Sequence, residues 1–443
     1  MEITKALSEY LVNLKFSDLP SDVVEGAKLC FLDWLGVTLS GSKEPLTGIL
    51  LQLAETQGGA PQATVIGKRK KTSLLQAALI NGSASHALDF DDVHLKMMGH
   101  PSAPVFPAIL ALAEWKRLSG KEFIAAFIAG FEAECRIASI VYPEHYLCGW
   151  HATGTLGHFG AAAGCANLLG LSPSQTVYAL GIAGTQSSGL KQAFGTMCKP
   201  FHAGKAAMNG LLAALLAEKG FTSSTDMLEG EKGFSKVLST RSDPAKALEQ
   251  LGEDYAVREV VFKHHASCFE THPAIDAILT LKEEYGLTAD QVDSIHLNAF
   301  TIACDIAGKP TPQTGLEGKF SLAFCVALAL GDGNTGEPSF KDEKVRDPRL
   351  IALRDKVKIE PDSSLSPSRA RIKIVTKDGR ILEKLMDTLD LSKDREKIKK
   401  DLTQKFRDLS TPVLGREKTE KLISAIPHLE EIPDLNTVVS LCD

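Results

Sequence analysis

Long apolar runs are missing from this 443-residue chain. A membrane-spanning helix needs roughly 18 consecutive apolar residues, and no segment approaches that length. The longest candidates, residues 210–217 and 320–330, are typical of helices buried in a protein core. The opening stretch, MEITKALSEYLVNLKF, carries charges throughout and has no small-residue cleavage site, which predicts that no signal peptide is present.

Metal-binding and nucleotide-binding patterns are also missing. The nine cysteines are scattered and none forms a CxxC pair, which argues against structural zinc and iron–sulfur clusters and favours reduced thiols in a cytosol. No GxxxxGK[ST] phosphate-binding loop occurs. The formal net charge of -6 disfavours binding to nucleic acid or to an anionic membrane surface. The sequence therefore predicts a cytoplasmic protein with no metal and no other cofactor, and with neither nucleic acid nor membrane as a partner.

The first 260 residues show apolar side chains at helical spacing along most of their length. Ser73 and Gln76 form a predicted capping box, and Ser172 and Gln175 form another, with proline at the first helical position. Long helices rich in Ala, Leu and Gly are predicted over residues 123–138, 156–169, 177–184 and 205–220. Small residues on these helices allow close packing, so this part of the chain is predicted to be helical.

The pattern changes after about residue 260. Helices are predicted over residues 273–285 and 318–330, and strands over 293–300, 357–359, 370–376 and 381–385, with a hairpin turn at 377–379. Charged helices return from residue 394 onward. We expect a mainly α fold, with a large all-helical domain built from both chain ends (residues 1–265 plus 395–443) and a smaller inserted α+β domain (residues 266–394).

The segment NGSASHALDFDDVHLKMMGHPSAPVFP holds a dense group of ionisable residues between apolar, helical flanks. The group comprises His86, Asp89, Asp91, Asp92, His94 and His100. Such a density is costly in a core unless the groups meet water, a metal or a substrate, and carboxylate–imidazole pairs suit acid–base catalysis. In the alternatives, the same residues cap a solvated loop between two helices, or they bind a metal at a spacing that matches none of the common motifs.

Two further histidine motifs stand at predicted helix starts. In GWHATGT, His151 lies close to backbone N–H groups that can bind a carboxylate, although a partly buried capping histidine would look the same. In KPFHAGK, Lys199, His202 and Lys205 make a plausible anion site, with a solvated basic turn as the alternative.

A fourth motif, KHHASCFETH, falls at the expected domain boundary, where substrate clefts are frequent. His272 opens the helix that follows and can be either catalytic or a cap. Cys268 is a weaker candidate, as a nucleophile with a histidine base, because no oxyanion-hole signature accompanies it.

These motifs together indicate proton abstraction next to a carboxylate. A base removes the Cα proton, cationic groups stabilise the enolate-like charge, and an acid protonates a leaving hydroxyl. Loss of CO2, or reprotonation on the opposite face, requires similar acidic, basic and cationic side chains. The side chains present supply these roles without a cofactor.

The motifs HALDFDDVH, GHPSAP, GWHATGTLG, KPFHAGKAAMNGLLAALLAEKGF and THPAIDA occur in this order over essentially the whole chain, and jointly they resemble the MmgE/PrpD family. Members of this family act on 2-methylcitrate, cis-aconitate or iminodisuccinate as dehydratase, decarboxylase or epimerase. The resemblance implies a large helical domain, a smaller α+β lid domain, a homodimer and no metal. It also implies that Asp89, His100, His151 and His272 are the catalytic residues.

Three positions depart from the decarboxylase branch of that family. Where that branch has a threonine, a lysine and a tyrosine, this chain has Val93, Met208 and Phe324. These departures argue against cis-aconitate decarboxylation. The residue sequences of the HALDFDD, HPSAP and KPFHAG motifs resemble those of the epimerase-like bacterial branch.

Three functions compete. The first is a cofactor-free lyase of a small di- or tricarboxylate, the second an epimerase of an aminodicarboxylate such as iminodisuccinate, and the third a carboxylate-binding protein without turnover. For the lyase we expect His151 or His272 as the base and Asp89 with His100 as the acid pair. Substrate carboxylates would be held by Lys199, His202, Lys205 and Lys319.

Overall fold

A computed structural model of the chain describes residues 2–392 and 394–443, and helices make up most of it. In chain order the helices are α1 Ile3–Asn13, α2 Ser21–Gly41, α3 Pro45–Gln57, α4 Leu74–Ser85, α5 Ser102–Lys116, α6 Gly120–Val141, α7 Glu144–Leu147, α8 Ala152–Leu169, α9 Pro173–Gly184, α10 Cys198–Glu218, α11 Phe234–Val237, α12 His272–Tyr285, α13 Thr301–Ala307, α14 Gly315–Gly318, α15 Leu322–Gly331, α16 Asp342–Val345, α17 Pro348–Arg354, α18 Arg395–Leu414, α19 Arg416–Ala425 and α20 Asn436–Val439. The mainly α fold predicted from the sequence is thereby confirmed. Among the described residues, no helix combines the length and the apolar character needed to cross a bilayer.

Strands are few and short in the first part of the chain. They are β1 Ala63–Val65, β2 Lys70–Thr72, β3 Val93–His94, β4 Val260–Val261, β5 Val292–Ala299, β6 Val357–Pro361, β7 Arg369–Thr376 and β8 Ile381–Asp387. The antiparallel pairs β1–β2 and β3–β4 lie within the region predicted to be helical. The β3–β4 pair has a functional consequence, because it joins the ionisable segment around residue 93 to the segment that leads into the fourth motif.

Local sequence signals place the helix ends. Ser73 accepts a hydrogen bond from the Gln76 backbone N–H, and Ser172 does the same with Gln175, so both predicted capping boxes are confirmed. The helix predicted over residues 318–330 begins later, at residue 322, because the Ser321 hydroxyl accepts a bond from the backbone N–H three residues on and so fixes the start there.

Close helix packing depends on small residues, as predicted. A Cβ atom added at Gly204 of α10 would lie 2.1 Å from the Leu79 carbonyl oxygen of α4. One added at Gly210 would lie 2.4 Å from the Ala161 Cβ of α8. Since α10 also begins at residue 198 rather than 205, the KPFHAGK motif lies within its first turns, packed against α4 and α8.

The later part of the chain forms a four-stranded sheet in the order β6-β5-β7-β8. β5 pairs with β6 in parallel and with β7 antiparallel, and β7 and β8 form the predicted hairpin. Its turn contains Gly379 at a φ of 86°, a conformation that glycine adopts without strain. Buried residues alternate along β7, and α12 packs on that face.

Two large groups of buried apolar side chains underlie this arrangement. The first group spans residues 3–257 and 402–442, so both chain ends contribute to it. The second group consists mostly of residues 266–382 and includes α12, α15 and the four-stranded sheet. Leu88 and Phe90 belong to the second group, although they follow α4 of the helical part. The predicted ionisable segment therefore lies where the two groups meet.

Candidate active site

Asp89 lies at the centre of the candidate site, directly after α4. Its backbone adopts a φ of 50°, which is unusual for a residue other than glycine. The Oδ1 atom lies 2.5 Å from the Lys199 Nζ and 3.2 Å from the Lys263 Nζ. Burial alone would raise the pKa of Asp89, but the charges of Lys199 and Lys263 outweigh burial and hold the pKa well below its usual value. The carboxylate is therefore ionised.

Three lysines from distant parts of the chain hold the backbone around Asp89. The pairs are Lys319 Nζ with the Leu88 carbonyl, Lys263 Nζ with the Asp89 carbonyl at 2.9 Å and Lys405 Nζ with the Phe90 carbonyl at 2.6 Å. Each ammonium donates to its carbonyl oxygen, and all three lysines are almost fully buried or pair with buried groups. Charge-assisted bonds of this kind are stronger than neutral ones, so residues 88–90 are fixed in the strained conformation that presents the Asp89 side chain.

His100 stands next to Asp89 with its Nδ1 hydrogen-bonded and its Nε2 facing the Asp89 carboxylate. Its Nδ1 donates to the Asp92 carbonyl at 2.8 Å, and its backbone N–H donates to the Thr153 hydroxyl at 3.0 Å. Its Nε2 lies 3.8 Å from the Asp89 Oδ1. Burial keeps the pKa of His100 well below its usual value, so the imidazole is neutral and Nε2 carries a lone pair.

His151 is the N-terminal capping position of α8, but its side chain caps nothing. Its Nδ1 lies 3.0 Å from the Nδ1 of His202 on α10. Its Nε2 is buried and has no hydrogen-bond partner among the described residues. Burial lowers the pKa of His151 well below its usual value and that of His202 to about 4, so a second neutral imidazole has a free nitrogen in the site.

His86 and Asp91 complete the cluster, although neither was predicted as a site residue. The His86 Nδ1 lies 2.8 Å from the Asp91 Oδ2, and the His86 ring centroid lies 4.6 Å from that of His100 and 5.6 Å from that of His151. The signal for both was present in the sequence, because they belong to the ionisable segment.

A narrow cavity of about 50 Å³ opens onto these groups. Four predicted site residues contribute to its lining: Asp89, His100, His151 and Lys199. The lining also includes Val93, Lys263, Cys268, Glu270, Phe194 and Phe320. Lys263, Glu270 and the two phenylalanines were not predicted from the sequence as site residues. Lys263 carried a signal, because it opens the fourth motif, whereas nothing in the local sequence marks the phenylalanines.

Four predicted site residues lie outside this lining within the described part of the chain, and one of them, His202, contacts the ring of His151 from α10. Lys319 lies close by, since it bonds to the Leu88 carbonyl, and burial lowers its pKa to about 8. Lys205 lies one turn beyond His202 on α10, and its charge acts on His158 rather than on Asp89. His272 is fully buried in a neighbouring cluster with His264 and His265, with ring centroids 4.9 Å apart in each case.

The charge balance favours an anionic ligand. Lys199, Lys263 and Lys319 surround the ionised Asp89 and Asp91, while the neighbouring histidines are neutral because burial lowers the pKa of each. A carboxylate entering the cavity would meet buried ammonium groups in a medium of low dielectric constant, where their attraction is strong. A base with a free nitrogen stands on the same cavity wall.

Two groups of donor atoms in the described residues are close enough to share a metal ion. One consists of His86, Asp89, Asp91 and His100, and the other of His264, His265 and Asp276. Around the first group two lysine ammoniums already neutralise Asp89, and their charge repels a divalent cation. The residues of the candidate site therefore fit an anion better than a metal ion.

Comparison with known proteins agrees with the sequence motifs. The family model for the MmgE/PrpD N-terminal domain matches residues 5–247, and the one for the MmgE/PrpD C-terminal domain matches residues 265–431. Cis-aconitate decarboxylase of Homo sapiens is 28% identical, covering 99% of this chain and 94% of the relative. Cis-aconitate decarboxylase of Aspergillus terreus is also 28% identical, covering 99% and 95%. The mitochondrial 2-methylcitrate dehydratase of Yarrowia lipolytica is 26% identical, covering 87% and 78%.

Proposed function

The chain belongs to the MmgE/PrpD family, and from that premise we propose that it is a lyase of a small di- or tricarboxylate that works by proton transfer between its own side chains. Relatives named as decarboxylases and as a dehydratase support the lyase class. The observation that carries the proposal is the ionised Asp89, paired with two buried lysines and near two neutral histidines. His100 Nε2 lies 3.8 Å from the Asp89 carboxylate, and His151 Nε2 has no hydrogen-bond partner among the described residues.

In this mechanism Lys199 and Lys319 hold substrate carboxylates, and His151 removes the proton next to one of them. The ammonium groups stabilise the enolate-like charge that develops. Asp89 is held ionised, so it orients the lysines and His100 and does not itself donate a proton. This assignment revises the acid pair expected from the sequence to His100 alone.

His100 acts on the leaving side of the reaction. A substrate carboxylate nearby favours its protonated form, since an opposite charge stabilises the imidazolium. In a dehydration the C–O bond breaks and the hydroxyl takes the His100 proton to leave as water. In a decarboxylation no proton is removed first: the C–C bond to the carboxylate breaks, CO2 leaves and the carbanion takes the His100 proton. Exchange with solvent then restores both histidines.

The test is proton NMR of the purified protein in D2O with 2-methylcitrate, citrate, cis-aconitate and iminodisuccinate, each supplied separately. Loss of water or CO2 from one substrate is the expected result, and His151→Gln should slow a dehydration by about 10²–10⁴-fold. His428→Gln is the matched control, because His428 is exposed and pairs with Glu431 at the surface. If no substrate changes and none exchanges its proton with solvent, the lyase proposal is wrong.

A second candidate, the epimerase, is favoured by one observation. Glu270 lies in the cavity lining and accepts a bond from the Cys268 thiol at 2.9 Å. A carboxylate in a site that otherwise selects anions suits a substrate with a protonated or imino nitrogen. The same NMR experiment distinguishes the two functions, because an epimerase incorporates deuterium and inverts a stereocentre without change of the carbon skeleton.

The homodimer, the cytoplasmic location and the division into domains at residues 265 and 395 remain predictions. Sedimentation analysis of the full chain tests the dimer. Limited proteolysis near the two boundaries tests the division.

A further inference from the structure

His264, His265 and Asp276 form a compact cluster outside the cavity that contains Asp89. The Nε2 atoms of the two histidines each lie 2.9 Å from the same carboxylate oxygen, Asp276 Oδ1. Their donor atoms all lie within 4.8 Å of one another. The two histidines follow β4 and Asp276 lies one turn into α12, so the cluster joins two separate elements.

We propose that these three side chains form a binding site for a divalent transition-metal ion of the zinc class. Zinc is bound by imidazole nitrogen and carboxylate oxygen at about 2.0–2.2 Å in tetrahedral geometry, which puts neighbouring donors about 3.3 Å apart. Each Nε2–Oδ1 distance of 2.9 Å would lengthen by about 0.4 Å to reach that spacing, and the three donor atoms all lie within 4.8 Å of one another. Two nitrogen donors and one oxygen also select against magnesium and calcium, which prefer oxygen ligands alone.

The surrounding groups are those that a metal site requires. The Thr335 hydroxyl lies 2.6 Å from His265 Nδ1, and the Thr388 hydroxyl donates to Asp276 Oδ2 at 2.7 Å. When the metal displaces the proton from His265 Nε2, the ring carries its proton on Nδ1 and Thr335 becomes the acceptor. Such outer partners orient ligating histidines and carboxylates in metalloproteins.

An independent observation comes from His272, which packs against both histidine rings. It is fully buried, and neither of its ring nitrogens has a hydrogen-bond partner among the described residues. A buried imidazole without a partner carries a desolvation cost, and water bound to a metal ion at this site would supply the missing hydrogen bond.

The cluster is open to solvent on one side, which gives a metal ion access to it. His264 is 37% exposed at its side chain, and His264 and His265 both line a cleft of about 910 Å³. In contrast to Asp89, Asp276 is paired with histidines, and no lysine lies within ion-pair distance of it among the described residues. The three protein ligands leave a fourth position for water.

The experiment is a titration of the full chain, first stripped with a chelator, with cobalt(II) and then zinc(II). Cobalt gives strong visible bands in tetrahedral sites, and zinc is followed by competition with a chromophoric chelator. We expect one ion per chain and loss of the bands in His264→Ala. Thr335→Val should weaken binding by about 10–100-fold, as for other outer partners of metal ligands.

His428→Ala is the control and should bind the ion as the wild type does. Asp276→Asn would also weaken the hydrogen bond from Thr388, whereas His264→Ala removes a ligand whose side chain is partly exposed, so His264→Ala is the better test. Absence of binding in the wild type would overturn the proposal. So would binding that persists in His264→Ala but is lost in Asp89→Asn, because the metal would then occupy the other donor group. Since the readout is metal binding, failure here leaves the proposed lyase activity untouched.

Discussion

Lys263 contacts Asp89 twice, donating to its backbone carbonyl at 2.9 Å and pairing with its carboxylate Oδ1 at 3.2 Å. One ammonium therefore fixes both the backbone conformation and the charge of the residue at the centre of the site. Lys199 contacts only the carboxylate of Asp89, at 2.5 Å. The two lysines thus differ in role, with Lys263 positioning Asp89 and Lys199 remaining available to a substrate.

Lys263→Met should destabilise the protein and impair its activity together. Removing one partner of a buried ion pair leaves the other charge undercompensated, and we expect the free energy of unfolding to fall by about 3 kcal/mol. Urea denaturation measures this loss. Lys96→Met is the matched control, because Lys96 is 69% exposed and its pair with Glu259 lies at the surface, so no measurable change is expected. Equal stability of the two variants would contradict the positioning role.

His151→Gln should lower kcat by about 10²–10⁴-fold with the fold retained, the usual range for loss of an acid–base group. The free Nε2 of His151 is lost in this variant, whereas the neighbouring cations remain to bind substrate. His202→Gln should lower kcat by less, since the contact of His202 with His151 is a hydrogen bond between their Nδ1 atoms and leaves His151 Nε2 in place. Steady-state kinetics and circular dichroism check both variants. If His202→Gln proved the more damaging, His202 would replace His151 as the base.

Activity should decline as the pH rises through about 8, because burial lowers the pKa of Lys319 to about 8. The ammonium that helps to bind a carboxylate is present below that pH and lost above it, so kcat/KM falls on the alkaline side. A bound substrate carboxylate stabilises the ammonium, which places the corresponding limb of the kcat profile at higher pH.

Lys319→Arg tests this pH assignment. Arginine stays charged at any pH used for an assay, so the variant should lose the alkaline limb of kcat/KM even if its activity is lower overall. Lys309→Arg serves as the control, because Lys309 pairs with Glu317 near the surface. An unchanged alkaline limb in Lys319→Arg would mean that another group titrates there.

Local signals in the sequence predicted much of this fold. Capping boxes and the Gly379 turn depend on residues within four positions of one another, so their geometry is independent of distant packing. His100 and His151 were predicted for the site because their motifs combine ionisable groups with apolar flanks. The β1–β2 hairpin was not predicted, since strands of three residues are too short to show a periodic pattern.

Contacts between distant segments could not be predicted in the same way. Three consecutive carbonyls accept hydrogen bonds from lysines that lie 174, 231 and 315 residues away in sequence, namely Lys263, Lys319 and Lys405. No spacing rule connects a lysine to a carbonyl that distant in sequence. His272 illustrates the same difficulty, because its position at the start of α12 was predicted and its neighbours His264 and His265 were not.

Glu270→Gln should shift substrate preference in a direction that identifies the substrate class. The side chain lies in the cavity lining, where its negative charge repels a substrate carboxylate and attracts a protonated nitrogen. For a tricarboxylate we expect kcat/KM to rise by about tenfold, which corresponds to roughly 1.4 kcal/mol of repulsion removed. For an aminodicarboxylate we expect a fall of similar size.

Glu283→Gln provides the control, because Glu283 lies on α12 outside the cavity lining. A rise with the tricarboxylates supports the lyase, whereas a fall confined to substrates that carry nitrogen supports the epimerase. Equal kinetics with every substrate would show that Glu270 does not face the bound molecule.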